Sequence, residues 1–218
     1  MKKPLLMVLL LLAAALASCG GDDHAPTRLR VLHASPDAPN VDVYVDDAKV
    51  LSNVPYPTLS SYLVVAPGTH NVKVNAAGTT TTVINVSPNL ANSTAYTAIA
   101  ANFVANIQLL LAVDDTSAPP AGQGRVRVIH AAPDAGPVDI LVNGQKVLSN
   151  VPFATISSYL ALPAGTYNVQ VNVAGTTITA IQANLTLAAG TNYSAVAIGS
   201  VKTAATNPLT LKVLTDGQ

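Results

Sequence analysis

The stretch RVLHASPDAP at residues 30–39 returns as RVIHAAPDAG at residues 127–136, and this doubling constrains the fold more than any other feature of the 218-residue chain. An offset of 97 residues carries Arg30 to Arg127, His33 to His130, Asp37 to Asp134 and Asp42 to Asp139. The same offset carries KVLSNVP at 49–55 onto 146–152, SSYL at 60–63 onto 157–160, and Tyr96 onto Tyr193. A period of this length is that of a domain, not of a solenoid repeat. The chain therefore reads as one unit over residues 28–115, a linker rich in Pro, Gly and Ser over 116–124, and a second unit over 125–218. The register slips only near the end, where GSVKTAATNPLTLKVLTD is longer than ANFVANIQLLLAVDD. Two units on a short polar linker are expected to keep some relative motion.

What each unit folds into follows from residue type and alternation. All 11 acidic residues are Asp, while Thr, Val, Asn, Gly and Pro are plentiful, a balance that disfavours helix and suits strands joined by tight turns. With 50% hydrophobic and 10% charged residues there is ample apolar surface to bury, which excludes disorder as the general state. In VDVYV at 41–45 the valines fall on one face, with Asp42 and Tyr44 on the other. In the second copy Asn143-Gly144 is the preferred type I′ pair, so Val142 should face Gln145 and Leu141 should face Lys146; Asp46-Asp47 holds the equivalent tip in the first. Further strands are expected at RLRVLHA, SYLVV, HNVKVN, TTTTVINV, AYTAIAA and IQLLLAV, and at their counterparts. The fold class is all-β: two tandem immunoglobulin-like or transthyretin-like β-sandwich domains behind a lipoprotein signal peptide.

That leader is MKKPLLMVLLLLAAALASCG: two lysines, an apolar run at residues 5–16, then small residues before a cysteine. This is the three-part layout of an export signal, and the run is shorter than the ~20 residues of a comfortable membrane span. Leu16-Ala17-Ser18-Cys19 resembles the bacterial lipobox, which implies a signal peptide at 1–18 removed before Cys19. It further implies a diacylglycerol on the Cys19 sulfur and a third acyl chain, such as palmitate, on the new amino group. Several chains hold a protein on a bilayer where one does so only marginally. Gly20 follows the cysteine in place of Asp, which by the same resemblance favours the outer membrane, on its periplasmic or surface face. Residues 19–27 read as the lipidated cysteine and a flexible tether. Without Lys2 and Lys3, 9 basic side chains face 11 acidic ones, so nucleic acid is not an expected partner.

The repeated motif raises the question of a site. His33, Asp37 and Asp42 could converge on a cation, and His130, Asp134 and Asp139 could do so again. The alternative is a structural corner: Pro36 and Pro133 stand where a type I turn favours Pro, and Asp37 and Asp134 can take up backbone amides inside that turn. Each copy holds too few acidic groups at close spacing for a dedicated calcium loop and too few His or Cys for zinc, so the corner reading leads, with no metal and no cofactor. No Gly-x-Ser-x-Gly, His-Glu-x-x-His, Cys-x-x-Cys or phosphate-cradling loop occurs, and no catalytic residue is assigned. Tyr44, Tyr56 and Tyr62 offer at most a small stacking platform for sugars, and the matched Tyr62 and Tyr159 read as structural.

The run of His-Ala-x-Pro-Asp-Ala, Val-Asp-Val-x-Val, Gly-Thr-x-x-Val and a terminal Leu-rich strand closely resembles the bacterial envelope domain known as domain of unknown function 4397, often found in tandem behind a signal peptide. The resemblance covers nearly all of the mature chain. It implies a β-sandwich at the cell surface or in the periplasm and supplies no activity. The expectation is a noncatalytic lipid-anchored envelope protein, a binding, adhesion or spacer module whose partner is an envelope protein or polysaccharide. The alternative is a small-ligand binder, for Ca²⁺ or glycan, at the Pro-Asp corners, and an envelope hydrolase comes third.

Overall fold

The computed structural model describes residues 25–217. The signal peptide, Cys19 and the tether through residue 24 lie outside the described residues, and Thr27 already opens the first strand. The strands of the first repeat are β1 (Thr27–His33), β2 (Val41–Val45), β3 (Ala48–Val54), β4 (Leu63–Val65), β5 (Gly68–Thr69), β6 (Val72–Ala76), β7 (Thr82–Val86), β8 (Asn89–Leu90), β9 (Ala95–Ala101) and β10 (Gln108–Asp114). One 3₁₀ turn, Val104–Asn106, precedes β10. The second repeat comprises β11 (Gln123–His130), β12 (Val138–Val142), β13 (Gln145–Val151), β14 (Leu160–Pro163), β15 (Gly165–Val173), β16 (Thr179–Leu187), β17 (Asn192–Ile198) and β18 (Thr210–Asp216).

Each repeat is a β-sandwich. One sheet runs β10-β9-β1-β4 in the first copy and β14-β11-β17-β18 in the second; the other runs β3-β2-β6-β7 and β13-β12-β15-β16. Pairing is antiparallel except that β1 lies parallel to β9, and β11 to β17. In the second copy β15 and β16 are long and pair along their length with one register shift at Val171/Asn172, and Tyr167 lies opposite Leu185. His70 and Pro88 occupy the matching positions of the first copy. Proline lacks the N–H that a continuous ladder needs, and the ladder breaks there into β6–β7 and the two-residue β5–β8.

The hairpins follow their turn residues. Asn143 and Gly144 have φ of 50° and 79°, Asp46 and Asp47 have φ of 49° and 64°, and both pairs make the type I′ geometry that matches strand twist. Val142 pairs with Gln145 and Leu141 with Lys146, the register that an Asn-Gly tip dictates. Val41, Val43 and Val45 point into the first sandwich with Leu29, Val31, Val74 and Ile84. Val138, Ile140, Val169 and Val171 do the same in the second.

A third core lies between the repeats. Leu32, Ala34, Ile99, Ala101, Leu110 and Ala112 of the first copy pack with Ile129, Ala131, Val196, Ile198 and Leu214 of the second. These residues alternate along their strands with the ones that face each sandwich interior, so β1 and β9 are covered on both faces. Four sheets thus stack in series, and the repeats are joined by much more than their linker. Each large aliphatic side chain buried there contributes about 1.5–3 kcal/mol.

Candidate functional site

Both Pro-Asp corners sit at the edge of that shared core. His33 and His130 end β1 and β11 and are fully buried. The His33 Nε2 lies 3.1 Å from the Pro39 carbonyl, and the Ser35 amide donates to its Nδ1 at 3.4 Å. His130 repeats the arrangement with Gly136 at 2.9 Å and the Ala132 amide at 3.4 Å. One nitrogen donates and the other accepts, which selects the neutral ring with its proton on Nε2. Burial holds both rings below the ordinary histidine pKa, against the carbonyl contacts, which act to raise it. Tyr56 packs against His33 with ring centroids 6.0 Å apart, and Phe153 against His130 at 6.2 Å, both in T-shaped geometry.

The two motif aspartates hold the loop after the central strand of each copy. Asp37 Oδ1 accepts from the Val104 amide at 2.7 Å and from the Ser35 hydroxyl at 3.5 Å. Asp134 accepts from the Val201 and Lys202 amides at 2.8 and 2.9 Å and from the Ser200 hydroxyl at 2.9 Å. Burial works against ionisation of Asp134, but these donors outweigh it and its pKa is lowered. The loop that Asp134 holds reaches back across the interface, where Asn207 donates to the Pro36 carbonyl at 2.7 Å.

Asp42 and Asp139 lie elsewhere, under the β2–β3 and β12–β13 hairpins. Asp42 accepts from Lys49 Nζ at 2.7 Å, the Asn53 amide at 2.8 Å and the Gly78 amide at 3.2 Å. Asp139 accepts from Lys146, Asn150 and Gly175 in the same way. Hydrogen bonding to Lys49, and then to the amides, holds Asp42 well below the usual carboxylate range; the Lys146 bond leads the same effect at Asp139, pushed down to about 2. Asn53 and Asn150, at φ of 53° and 51°, are the bulges these carboxylates brace. The six motif residues therefore do not converge on one point: Asp42 and Asp139 are bonded apart from the corners, and His33 and Asp37 are linked only through Ser35. Among the described residues no three His, Cys, Asp or Glu side chains group as a metal would require.

The strongest polar constellation joins Arg30, Arg127, Asp114 and Asp216, which sequence reasoning left unassigned, to the matched Tyr62 and Tyr159. Arg30 reaches across the interface to Asp216, and Arg127 reaches back to Asp114. Arg30 Nε also donates to Thr97 Oγ1 and Arg127 Nε to Ser194 Oγ, both at 2.8 Å. Arg30 Nη1 donates to the Thr215 carbonyl at 2.7 Å, and Arg127 Nη1 to the Val113 carbonyl at 2.6 Å. Asp114 accepts from Tyr62 at 2.6 Å and Thr97 at 2.7 Å; Asp216 accepts from Tyr159 and Ser194, each at 2.7 Å. The Tyr62 ring lies 4.6 Å beneath the Arg30 guanidinium, and Tyr159 4.8 Å beneath Arg127. Burial first, and then the neighbouring Asp114, pushes the Tyr62 hydroxyl up to about 12. This is a reciprocal, isologous clasp within one chain. Its signal in the sequence was an Arg inside each apolar run and an Asp closing each last strand. The same contacts take Tyr62 out of any sugar-stacking platform, and Tyr56 lies against His33.

Residues 27–140 and again 124–218 match the domain of unknown function (DUF4397). The chain belongs to this family. The two DUF4397 matches overlap across β11 and the second corner, the segment that carries Arg127, His130 and Asp134. No curated protein matches the chain. Among solved structures, a streptococcal virulence factor described for alpha-glucan binding is 8% identical over 73% of this chain and 88% of that one, with a TM-score of 0.28. A leucine-rich repeat protein from Bacteroides thetaiotaomicron is 14% identical over 81% of this chain and 26% of that one, with a TM-score of 0.19. Neither similarity bears on what the DUF4397 sandwiches do.

Proposed function

We propose that this DUF4397 protein is a noncatalytic, lipid-anchored module of the cell envelope, a two-sandwich spacer that meets an envelope protein or polysaccharide through its loops and sheet edges. The observation that carries the spacer reading is the reciprocal clasp with its shared core, which ties the repeats into one unit. The repeated polar residues are engaged in holding corners, bulges and interface, while the hairpin tips at Asp46-Asp47 and Asn143-Gly144 face solvent. The lipobox-like Leu16-Ala17-Ser18-Cys19 supports the anchor.

Two experiments test the two halves of the reading. Cells expressing the full chain should incorporate an alkynyl palmitate analogue into it, and Cys19→Ser should lose the label; equal labelling of both overturns the anchor. Spin labels at Thr81→Cys and Ile178→Cys, matched exposed positions of the two copies, should give one narrow distance distribution when Cys19 is Ser. A broad distribution overturns the spacer.

A further inference from the structure

The two sandwiches are not packed alike. A cavity of about 520 Å³ opens between the two sheets of the second, walled by Val126, Val128, Val142, Leu148, Leu162 and Leu185. Val147 and Leu160, 42% and 47% exposed, border it where the edge strands β13 and β14 part. No Lys, Arg, His or Asp lines it, and the hydroxyls that do belong to Thr155, Ser157, Ser158 and Tyr159. Two of these are already engaged: Ser157 accepts from the Val128 amide at 2.8 Å, and Tyr159 donates to Asp216.

The first repeat is an internal control for this space. Leu29, Val31 and Val45 stand at the positions of Val126, Val128 and Val142, and all three are buried in a continuous core. Their counterparts in the second copy are only half-buried. Leu29 gives way to the smaller Val126 in one wall while Val43 and Val65 give way to the larger Ile140 and Leu162, so the two copies differ in how the walls pack and not in side-chain volume alone. Apolar walls left facing water are unfavourable in proportion to their area, and a ligand that covers them recovers that free energy.

We propose that the second sandwich binds a single unbranched aliphatic chain between its sheets, with an uncharged head at the mouth. The volume falls in the ~300–1,000 Å³ range of small-molecule sites and exceeds threefold the ~150 Å³ apolar cavity that accepts benzene. Facing sheets separated by roughly 10 Å make a slot, which suits a narrow chain better than a broad ring system. The lining is aliphatic apart from the hydroxyls and the Tyr159 ring, and it offers no cation to pair with a carboxylate or phosphate. The inference does not depend on lipidation of Cys19 or on any surface partner.

The test uses the purified chain from Gly20 onward, which lacks the apolar leader and the acylated cysteine and keeps every strand of both sandwiches. The neutral probe N-phenyl-1-naphthylamine should bind with enhanced fluorescence and be displaced by 1-dodecanol at one equivalent per chain. Val126→Leu, which installs the residue of the first repeat, should weaken dodecanol about fourfold, as expected if the bound chain loses about one buried methylene. Val128→Phe should abolish binding, with unchanged circular dichroism as the control for folding; should that variant not fold, Val126→Leu carries the test. Neutral phosphatidylcholine vesicles that co-sediment with the wild type but not with Val126→Leu would identify membrane lipid as the source of the chain, and vesicles without effect a free amphiphile. Absence of probe binding to the wild type, or equal affinity in wild type and both variants, overturns the proposal.

Discussion

The two repeats share a corner, a hairpin and a buried arginine, yet they use them unequally. In the first copy Asp37 holds one amide of a short 3₁₀ turn; in the second Asp134 holds two amides and a hydroxyl of a longer loop, which crosses to the first corner through Asn207. The first sandwich buries Leu29, Val31 and Val45 in its core, and the second keeps an apolar slot at the matched positions. At the interface the symmetry is restored, because each arginine finds its aspartate in the other copy. The comparison teaches that duplicated residues retain their local bonding while the loops and interiors around them diverge.

The interface should give the largest effect. Arg127→Ala takes from the buried Asp114 its direct cation, leaving it Tyr62, Thr97 and, at 3.7 Å, Arg30, and Arg30→Ala takes from Asp216 its direct cation; removing one partner of a buried pair costs about 3–5 kcal/mol. Urea unfolding should show similar losses for the two variants and, because both sit in one network, a double variant less destabilised than the sum. Equal-sized additive losses below about 1 kcal/mol would mean that the clasp is only a surface contact.

The corners come next. Asp134→Asn should cost about 1–3 kcal/mol, because three donors lose a charged acceptor, and Asp37→Asn less than that, with its fewer donors. Equal costs would erase the asymmetry between the loops.

Acid sharpens the same comparison. Burial depresses the pKa of His33 and His130, so the unfolded chain binds protons that the folded chain refuses. Their contribution is full above the unfolded value of about 6.5 and is lost as pH falls below it towards the folded values. Urea midpoints should therefore be lower at pH 5 than at pH 8. His70 works the other way: the hydrogen bond to Asp46, at 2.6 Å, raises its pKa, and its contribution is present at low pH and lost as pH rises. The second repeat has Tyr167 there, so His70→Tyr should steepen the acid decline.

The smallest expected effect is none. Millimolar Ca²⁺ or EDTA should leave the melting temperature unchanged, since a cation bound only by the folded state would have to raise it. A rise lost in Asp37→Asn/Asp134→Asn would restore the corners as ligand sites.

Much of this fold was legible in the sequence for identifiable reasons. Asn143-Gly144 sets a two-residue tip, and that tip sets the hairpin register. Val41, Val43 and Val45 alternate, and their burial follows. The interface was hidden because in a strand such as RLRVLH the face of Arg28 and Arg30 reads as solvated although it is covered, and because Arg30 and Asp216 are distant in the chain. The role of the motif histidines was equally hidden, since each closes on a carbonyl six residues onward that no side-chain pattern reveals. Leu29 and Val126 look equivalent on paper, and only the packed sandwiches show that one is buried in its core and the other lines an open cavity.

Calorimetric unfolding of the protein carrying Cys19→Ser tests the central claim, that the two repeats form one unit, most directly. A shared core and a reciprocal buried clasp predict a single transition whose calorimetric and van't Hoff enthalpies agree. Two resolved transitions, or a van't Hoff enthalpy near half the calorimetric one, would show that the sandwiches unfold independently and would contradict it.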